Sequence, residues 1–229
     1  MNWFLMRRRM MGKGLSVGSL AAGREVIIPV DGVNYNWIVV HQGKNPCNSS
    51  LSGTWLMMKN IYLNAVYLHG TQKDSSGGGY SASYDYNDPG ISDYLNGDFY
   101  EMLDDKVKPY LRVCTYYSDA ESDKGLVFRC PARNLGFAWN TSMIGAVVPN
   151  TPNDAFDYFK EYSAEKFIAE YEGKAQPWWT NGRIEASGLV AYVTAEGKLS
   201  DFSRNMGVAG IRPMLLCDPD FKILRDMIV

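Results

Sequence analysis

Arg24-Glu-Val-Ile-Ile-Pro-Val30 is followed, after Asp31-Gly32, by Asn34-Tyr-Asn-Trp-Ile-Val-Val-His41. Two β-branched runs separated by an Asp-Gly turn spell a β-hairpin, because Asp-Gly tolerates the left-handed backbone a tight turn needs. Working outward, Thr54-Trp-Leu-Met-Met58 reads as a third apolar strand opened by Gly53, and 188–194 (GLVAYVT) as another, with Glu196-Gly197 as its turn. Residues 211–216 (IRPMLL) read as the last strand, placed at an edge or bulge by Pro213, which has no N–H for a ladder. Between these groups lie helical patterns. Residues 91–103 carry Ile91, Tyr94, Leu95, Phe99 and Leu103 on one side, weakened by Gly97, and 104–113 forms a short helix or turn. Residues 154–172 give the strongest helix, with Asp154 as cap, Phe156, Phe159, Phe167, Ile168 and Tyr171 as stripe and Gly173 as stop. Strands at both ends with helices between them predict an α+β fold in which N- and C-terminal strands share a sheet. Trp37, Trp55, Leu56, Phe99, Phe159 and Phe167 are the expected core where that sheet meets the helices. Residues 70–90, rich in Gly, Ser, Asp and Tyr, read as a surface spacer.

The composition supports one compact domain. The 229 residues are 46% hydrophobic and 21% charged, enough to bury a core without metals or disulfides and incompatible with a disordered, collagenous or coiled-coil chain. Fifteen tyrosines and six tryptophans suit a binding surface as well as an aromatic core. A net charge of −2 offers no basic field, so no nucleic-acid partner is expected.

Residues 1–14 stand apart as an arm, leaving 15–229 as the domain. Arg7, Arg8, Arg9 and Lys13 carry all the charge of the arm, and Trp3, Phe4, Leu5, Met6, Met10 and Met11 surround them. Its apolar run is too short for a signal peptide, and no stretch of the chain approaches the length of a membrane-spanning helix. A disordered tail and a weak membrane-surface anchor are open readings of the arm, but adjacent aromatics with arginines suit a docking anchor, with Trp3 and Phe4 inserting into a neighbouring subunit and Arg7, Arg8 and Arg9 pairing with carboxylates at the rim. Other particle proteins or copies of the same chain are the expected partners.

Chemistry-bearing residues are dispersed. Cys47, Cys114, Cys130 and Cys217 form no CxxC pair, and His41 and His69 are the two histidines, so no metal and no cofactor is expected. The thiols read as reduced, half-buried groups. Glu161 and Glu165 share a solvated helix face, Asp104-Asp105 complements a helix dipole, and His41 ends a strand as a satisfied structural residue. Nucleophile-elbow, zinc-protease and P-loop motifs are missing, so the chain is not expected to be an enzyme.

Five blocks in order carry a family resemblance: 37–43 (WIVVHQG), 53–62 (GTWLMMKNIY), 91–104 (ISDYLNGDFYEMLD), 177–179 (PWW) and 210–215 (GIRPML). Over roughly residues 15–224 the chain resembles an uncharacterised family abundant in gut Firmicutes and their phages, whose members read FxVVHQG, GTWLLMKDIY, IxxYLNxxFLxLFD, WWLRSP and GIRPALxLP. The resemblance implies a C-type-lectin-like fold of the formylglycine-generating-enzyme type, a fold that serves as a receptor-binding tip in some phages. The sequence departs from the pattern after Trp179, where Thr180-Asn181-Gly182-Arg183 replaces Leu-Arg-Ser-Pro. Arg-Gly-Gly-Ser-Trp, Glu-Pro-Asn and Trp-Asn-Asp signatures are absent, so neither copper oxidase chemistry nor calcium-dependent sugar binding carries over.

The implied function is a phage virion protein, made in the bacterial cytoplasm, that displays a lectin-like domain toward a host-surface glycan or protein. Polar loop segments at 181–185 and 200–206 are the expected binding face, with Trp179, Asn181, Arg183, Phe202, Arg204 and Asn205 as ligand contacts and Arg212 as a buried structural arginine. Three rival readings stay open: a decoration or tail component without a receptor, an oxidase related to the formylglycine-generating enzymes, and a bacterial surface or secreted adhesin, which the missing signal peptide disfavours.

Overall fold

The computed structural model describes residues 14–46, 48–67, 91–112, 127–129, 155–161, 163–184, 189–202, 208–224 and 227–229. The Asp-Gly turn forms as its residues dictate: Asp31 and Gly32 take φ of 49° and 72°, and Val30 pairs directly with Val33 across the two-residue loop. The hairpin consists of β2 (Glu25–Val30) and β3 (Val33–Asn45), preceded by β1 (Leu15–Ser16). Pro29 sits opposite Asn34 on β2, an edge strand, where its missing N–H leaves no gap in the ladder to β3.

β4 (Asn48–Met58) pairs with the far side of β3, β5 spans Leu63–Tyr67, and two short helices, α1 (Ile91–Asn96) and α2 (Asp98–Met102), follow. Then come β6 (Val127–Arg129), α3 (Ala164–Phe167), β7 (Glu170–Tyr171), β8 (Lys174–Ala175), β9 (Trp178–Ile184), β10 (Leu189–Val193) and β11 (Leu199–Phe202). The last three strands are β12 (Val208–Ile211), β13 (Pro213–Cys217) and β14 (Lys222–Ile223). One five-stranded sheet runs β2-β3-β4-β13-β6 and a second runs β11-β10-β9-β12-β5. Among the described residues the fold is mostly β-sheet with few short helices, less helical than the α+β balance expected, and strands from the N- and C-terminal parts of the chain share the first sheet. β1 also pairs with β14, tying Leu15 to Ile223.

The near-continuous apolar runs of β3, β4 and β13 follow from burial on both faces. Trp37, Val39, Leu56, Met58, Leu215 and Cys217 point into one core with Leu95, Phe99 and Leu103. Ile38, Val40, Trp55, Met57, Met214 and Leu216 point into the other, against Phe156, Phe159, Phe167 and Trp178. Strand alternation thus serves two cores at once. All six residues expected in the core are buried.

Three expectations need correction. Residues 154–172 are not one helix: a 3-10 turn at Asp157–Phe159 and the single turn of α3 flank an extended Ser163, and the chain enters β7 at Glu170. The helical stripe through 156, 159 and 167 passes through Ser163, an uncapped polar position, and the aromatics reach one core by separate turns instead. The segment 91–103 breaks into α1 and α2 at Gly97, whose φ of −105° and ψ of −101° lie outside the helical region. Pro213 marks neither an edge nor a bulge. It is the first residue of β13, which lies between β4 and β6, and the chain changes sheets at Arg212. A leading proline leaves the internal ladder intact.

Gly53 lies opposite Gly43 where β4 meets the end of β13, and a Cβ there would fall 2.5 Å from the Cys217 carbonyl oxygen. Gly53→Ala therefore forces the central ladder apart, and chemical denaturation should show a clear loss of stability. Phe159→Ala should lower the unfolding free energy by about 3–5 kcal/mol in the same assay.

Candidate functional site

The residues expected to bind ligand divide between strands and positions outside the described residues. Trp179 is corrected: it is 3% exposed, and its ring meets Tyr192 edge-on at 6.1 Å. Strand alternation sends Trp178 and Trp179 to opposite faces as expected, but each face is covered by a core. The segments read as loops are also corrected in their described parts, since Asn181 and Arg183 lie in β9 and Phe202 ends β11. β10 joins them, with Val190 opposite both Arg183 and Phe202, so the two segments are brought together in one ribbon. Arg204 and Asn205 lie outside the described residues, as do Trp3, Phe4, Arg7, Arg8 and Arg9 of the arm, the 70–90 segment, His69, Cys47, Cys114 and Cys130.

A cleft opens where β4 ends. Trp37 pairs with Met58, the Lys59 N–H donates to the Asn36 carbonyl at 2.8 Å, and the chain then turns away as the Ile61 N–H bonds to Glu170. The hairpin continues past that point, so Asn34 has a ladder partner only in Pro29. The Asn36 carbonyl points toward β4, and Asn34, two residues away on the same strand, points its N–H and C=O to the same side, which β4 has vacated. The resulting space is about 280 Å³, lined by Asn34, Tyr35, Asn36, Met58, Lys59 and Asn60. Glu25 completes its rim: one carboxylate oxygen lies 2.7 Å from Lys59 Nζ and the other accepts from Asn36 Nδ2 at 3.1 Å. Tyr35 is half-buried and meets Tyr62 edge-on at 5.5 Å. Burial, followed by the nearby Tyr62, Asp31 and Tyr171, raises the Tyr35 phenol above its ordinary range, so it stays a neutral donor and acceptor.

Arg212 fixes the back of this cleft. It is buried at the sheet crossover, as the sequence led us to expect, donates from Nε to the Met58 carbonyl at 2.7 Å, and lies 4.9 Å over the Trp178 ring. The point at which β4 leaves the sheet is therefore held by a residue 154 positions away in sequence.

Three further titratable groups among the described residues are held by burial or close partners. His41 is buried against Phe156, with Nδ1 2.7 Å from Asp157 and Nε2 2.7 Å from the Lys44 carbonyl, a fully satisfied ring. Burial alone would raise the Asp157 carboxyl, but the Lys160 hydrogen bond and the His41 charge outweigh it and hold the group below its usual range. Burial pushes the Cys217 thiol up to about 12, which keeps it un-ionised and inert. Among the described residues no group of three or more His, Cys, Asp or Glu is placed to hold a metal ion. No described helix is long and apolar enough to cross a membrane.

Residues 52–219 match the model of a family described as a domain of unknown function, DUF6273. The match spans most of the chain, which belongs to that family. No curated protein and no solved structure matches it.

The cleft residues were not singled out by the sequence reading. A usable signal was present: Lys59-Asn60 ends an unbroken apolar strand, while Asn34 and Asn36 flank Tyr35 at the other end of the ladder.

The depressed Asp157 carboxyl sets a pH dependence. Its contribution to stability is full above the unfolded carboxylate value, near pH 4, and is lost as pH falls through the lower folded value. Thermal melts should show Asp157→Asn less stable than the parent at pH 7, with the gap closing as the pH is lowered through that window.

Proposed function

We propose that this chain is a non-catalytic recognition domain of the C-type-lectin-like kind, displayed on a phage particle and attached to it through residues 1–14. The observation that carries the recognition reading is the cleft at the end of β4. Its polar lining is three carboxamides, a neutral phenol and a lysine whose charge is already matched by Glu25, beside Met58. Carboxamides do not titrate, and the Tyr35 phenol, raised above its ordinary range, stays neutral; these groups bind and orient.

The lectin-like architecture is supported by N- and C-terminal strands sharing one sheet and by the pairing of the chain ends through β1 and β14. The five ordered sequence blocks support the phage setting. The charge and aromatic content of the arm support its role as an anchor, with another particle protein or a second copy as its dock. The polar segments at 181–185 and 200–206 remain a second candidate for recognition in this reading, since β10 pairs with both of the strands that carry Asn181, Arg183 and Phe202.

A mass-spectrometric inventory of purified phage particles from the source tests the setting, and the chain should appear among the particle proteins. Deleting residues 1–11 should leave the thermal transition of the domain in place and remove the protein from assembled particles. Full incorporation of the truncated protein would overturn the anchoring role.

A further inference from the structure

We infer that the cleft formed by Asn34, Tyr35, Asn36, Lys59 and Asn60 is a subsite for a neutral saccharide. The inference deepens the recognition reading above and rests on it. Asn34 and Asn60 are exposed, and neither side chain is hydrogen-bonded among the described residues. Asn36 uses its amide N–H on Glu25 and keeps its carbonyl oxygen for a ligand. The main-chain N–H and C=O of Asn34 add one donor and one acceptor on the same side. The cleft thus offers donors and acceptors in nearly equal number within a small volume. Hydroxyl groups, each of which donates once and accepts twice, complement that mixture.

Other ligand classes fit less well. An anion would need a free positive charge, but Lys59 Nζ already lies 2.7 Å from Glu25. A cation would need carboxylate oxygens, and both oxygens of Glu25 are occupied by Lys59 and Asn36. A peptide strand would need a longer run of unpaired backbone: β3 begins at Val33, and Asn36 already gives its carbonyl to the Lys59 N–H. A volume of about 280 Å³ lies near the lower end of the roughly 300–1,000 Å³ typical of ligand pockets, a size suited to one sugar ring. The half-buried Tyr35 ring supplies the apolar wall against which ring C–H groups can rest.

The full-length protein should be titrated by NMR with methyl glucoside, methyl galactoside, methyl mannoside and N-acetylglucosamine, and with glucuronate and glucosamine as charged probes. At least one neutral sugar should saturate the protein with a dissociation constant at least tenfold below that of either charged probe. The double variant Asn34→Ala, Asn60→Ala should weaken that binding at least tenfold with an unchanged melting temperature, because both side chains are exposed. Failure of every neutral sugar to saturate, or equal binding by the double variant, would overturn the assignment. Adsorption of the parent and the double variant to host bacteria separates the two levels of the argument. Adsorption undiminished in the variant rejects the cleft and keeps the recognition reading, whereas a parent that does not adsorb rejects that reading itself.

Discussion

The structure depends on β3, β4 and β13 being buried on both faces. A single-faced sheet of this length would leave half of its side chains in water and would show alternating polarity. Here each strand divides its residues between two cores, and the two cores are sealed by different parts of the chain. Leu95, Phe99 and Leu103 close one side, and Phe156, Phe159 and Phe167 close the other. Neither cover is a long helix, because each supplies a few aromatic or aliphatic plugs rather than a continuous stripe. Trp55 and Phe156, 5.1 Å apart, and the stacked Phe159 and Phe167 show how aromatic volume replaces helix length.

The crossover at Arg212 follows from the same constraint. The chain must pass from one sheet to the other between Ile211 and Pro213, and the break exposes strand-end carbonyls to the interior. Arg212 satisfies the Met58 carbonyl from inside the protein while its guanidinium lies over Trp178. A lysine could not serve both partners with one planar group. The cleft is a by-product of this junction: β4 ends where Arg212 caps it, and the hairpin projects beyond.

Much of the architecture was legible in the sequence because local chemistry and tertiary need agreed. Asp31-Gly32 requires a tight turn wherever it is placed, and the aromatic residues of the apolar runs had no stable location but a core. The segment 154–172 misled because its aromatics approximate a helical period, and only the position of Ser163 within the stripe marks the break. Pro213 suggested an edge because proline spoils an internal ladder, yet as the first residue of β13 it spoils nothing. Trp179 suggested a binding surface because one tryptophan of an adjacent pair in a one-faced sheet would be free. A strand covered on both sides leaves no free face, and periodicity within a single strand does not report what lies above and below it. The cleft was hidden for a related reason, since it arises from where two strands of unequal length part company and not from any residue type.

The position of β13 also governs when the fold can close. Thr54 pairs with Cys217 and Met57 with Met214, partners separated by about 160 residues. At a synthesis rate of roughly 5–20 residues per second, the β4 edge waits on the order of 10–30 s for its neighbour to leave the ribosome. Throughout that interval Thr54-Trp-Leu-Met-Met58 presents an apolar strand with an open ladder, the kind of segment that recruits other nascent chains. The hairpin of β2 and β3 can form at once and shield the opposite edge of β4, so the exposed side is the one reserved for β13. Slow translation therefore lengthens the interval in which that edge is open in this topology rather than shortening it.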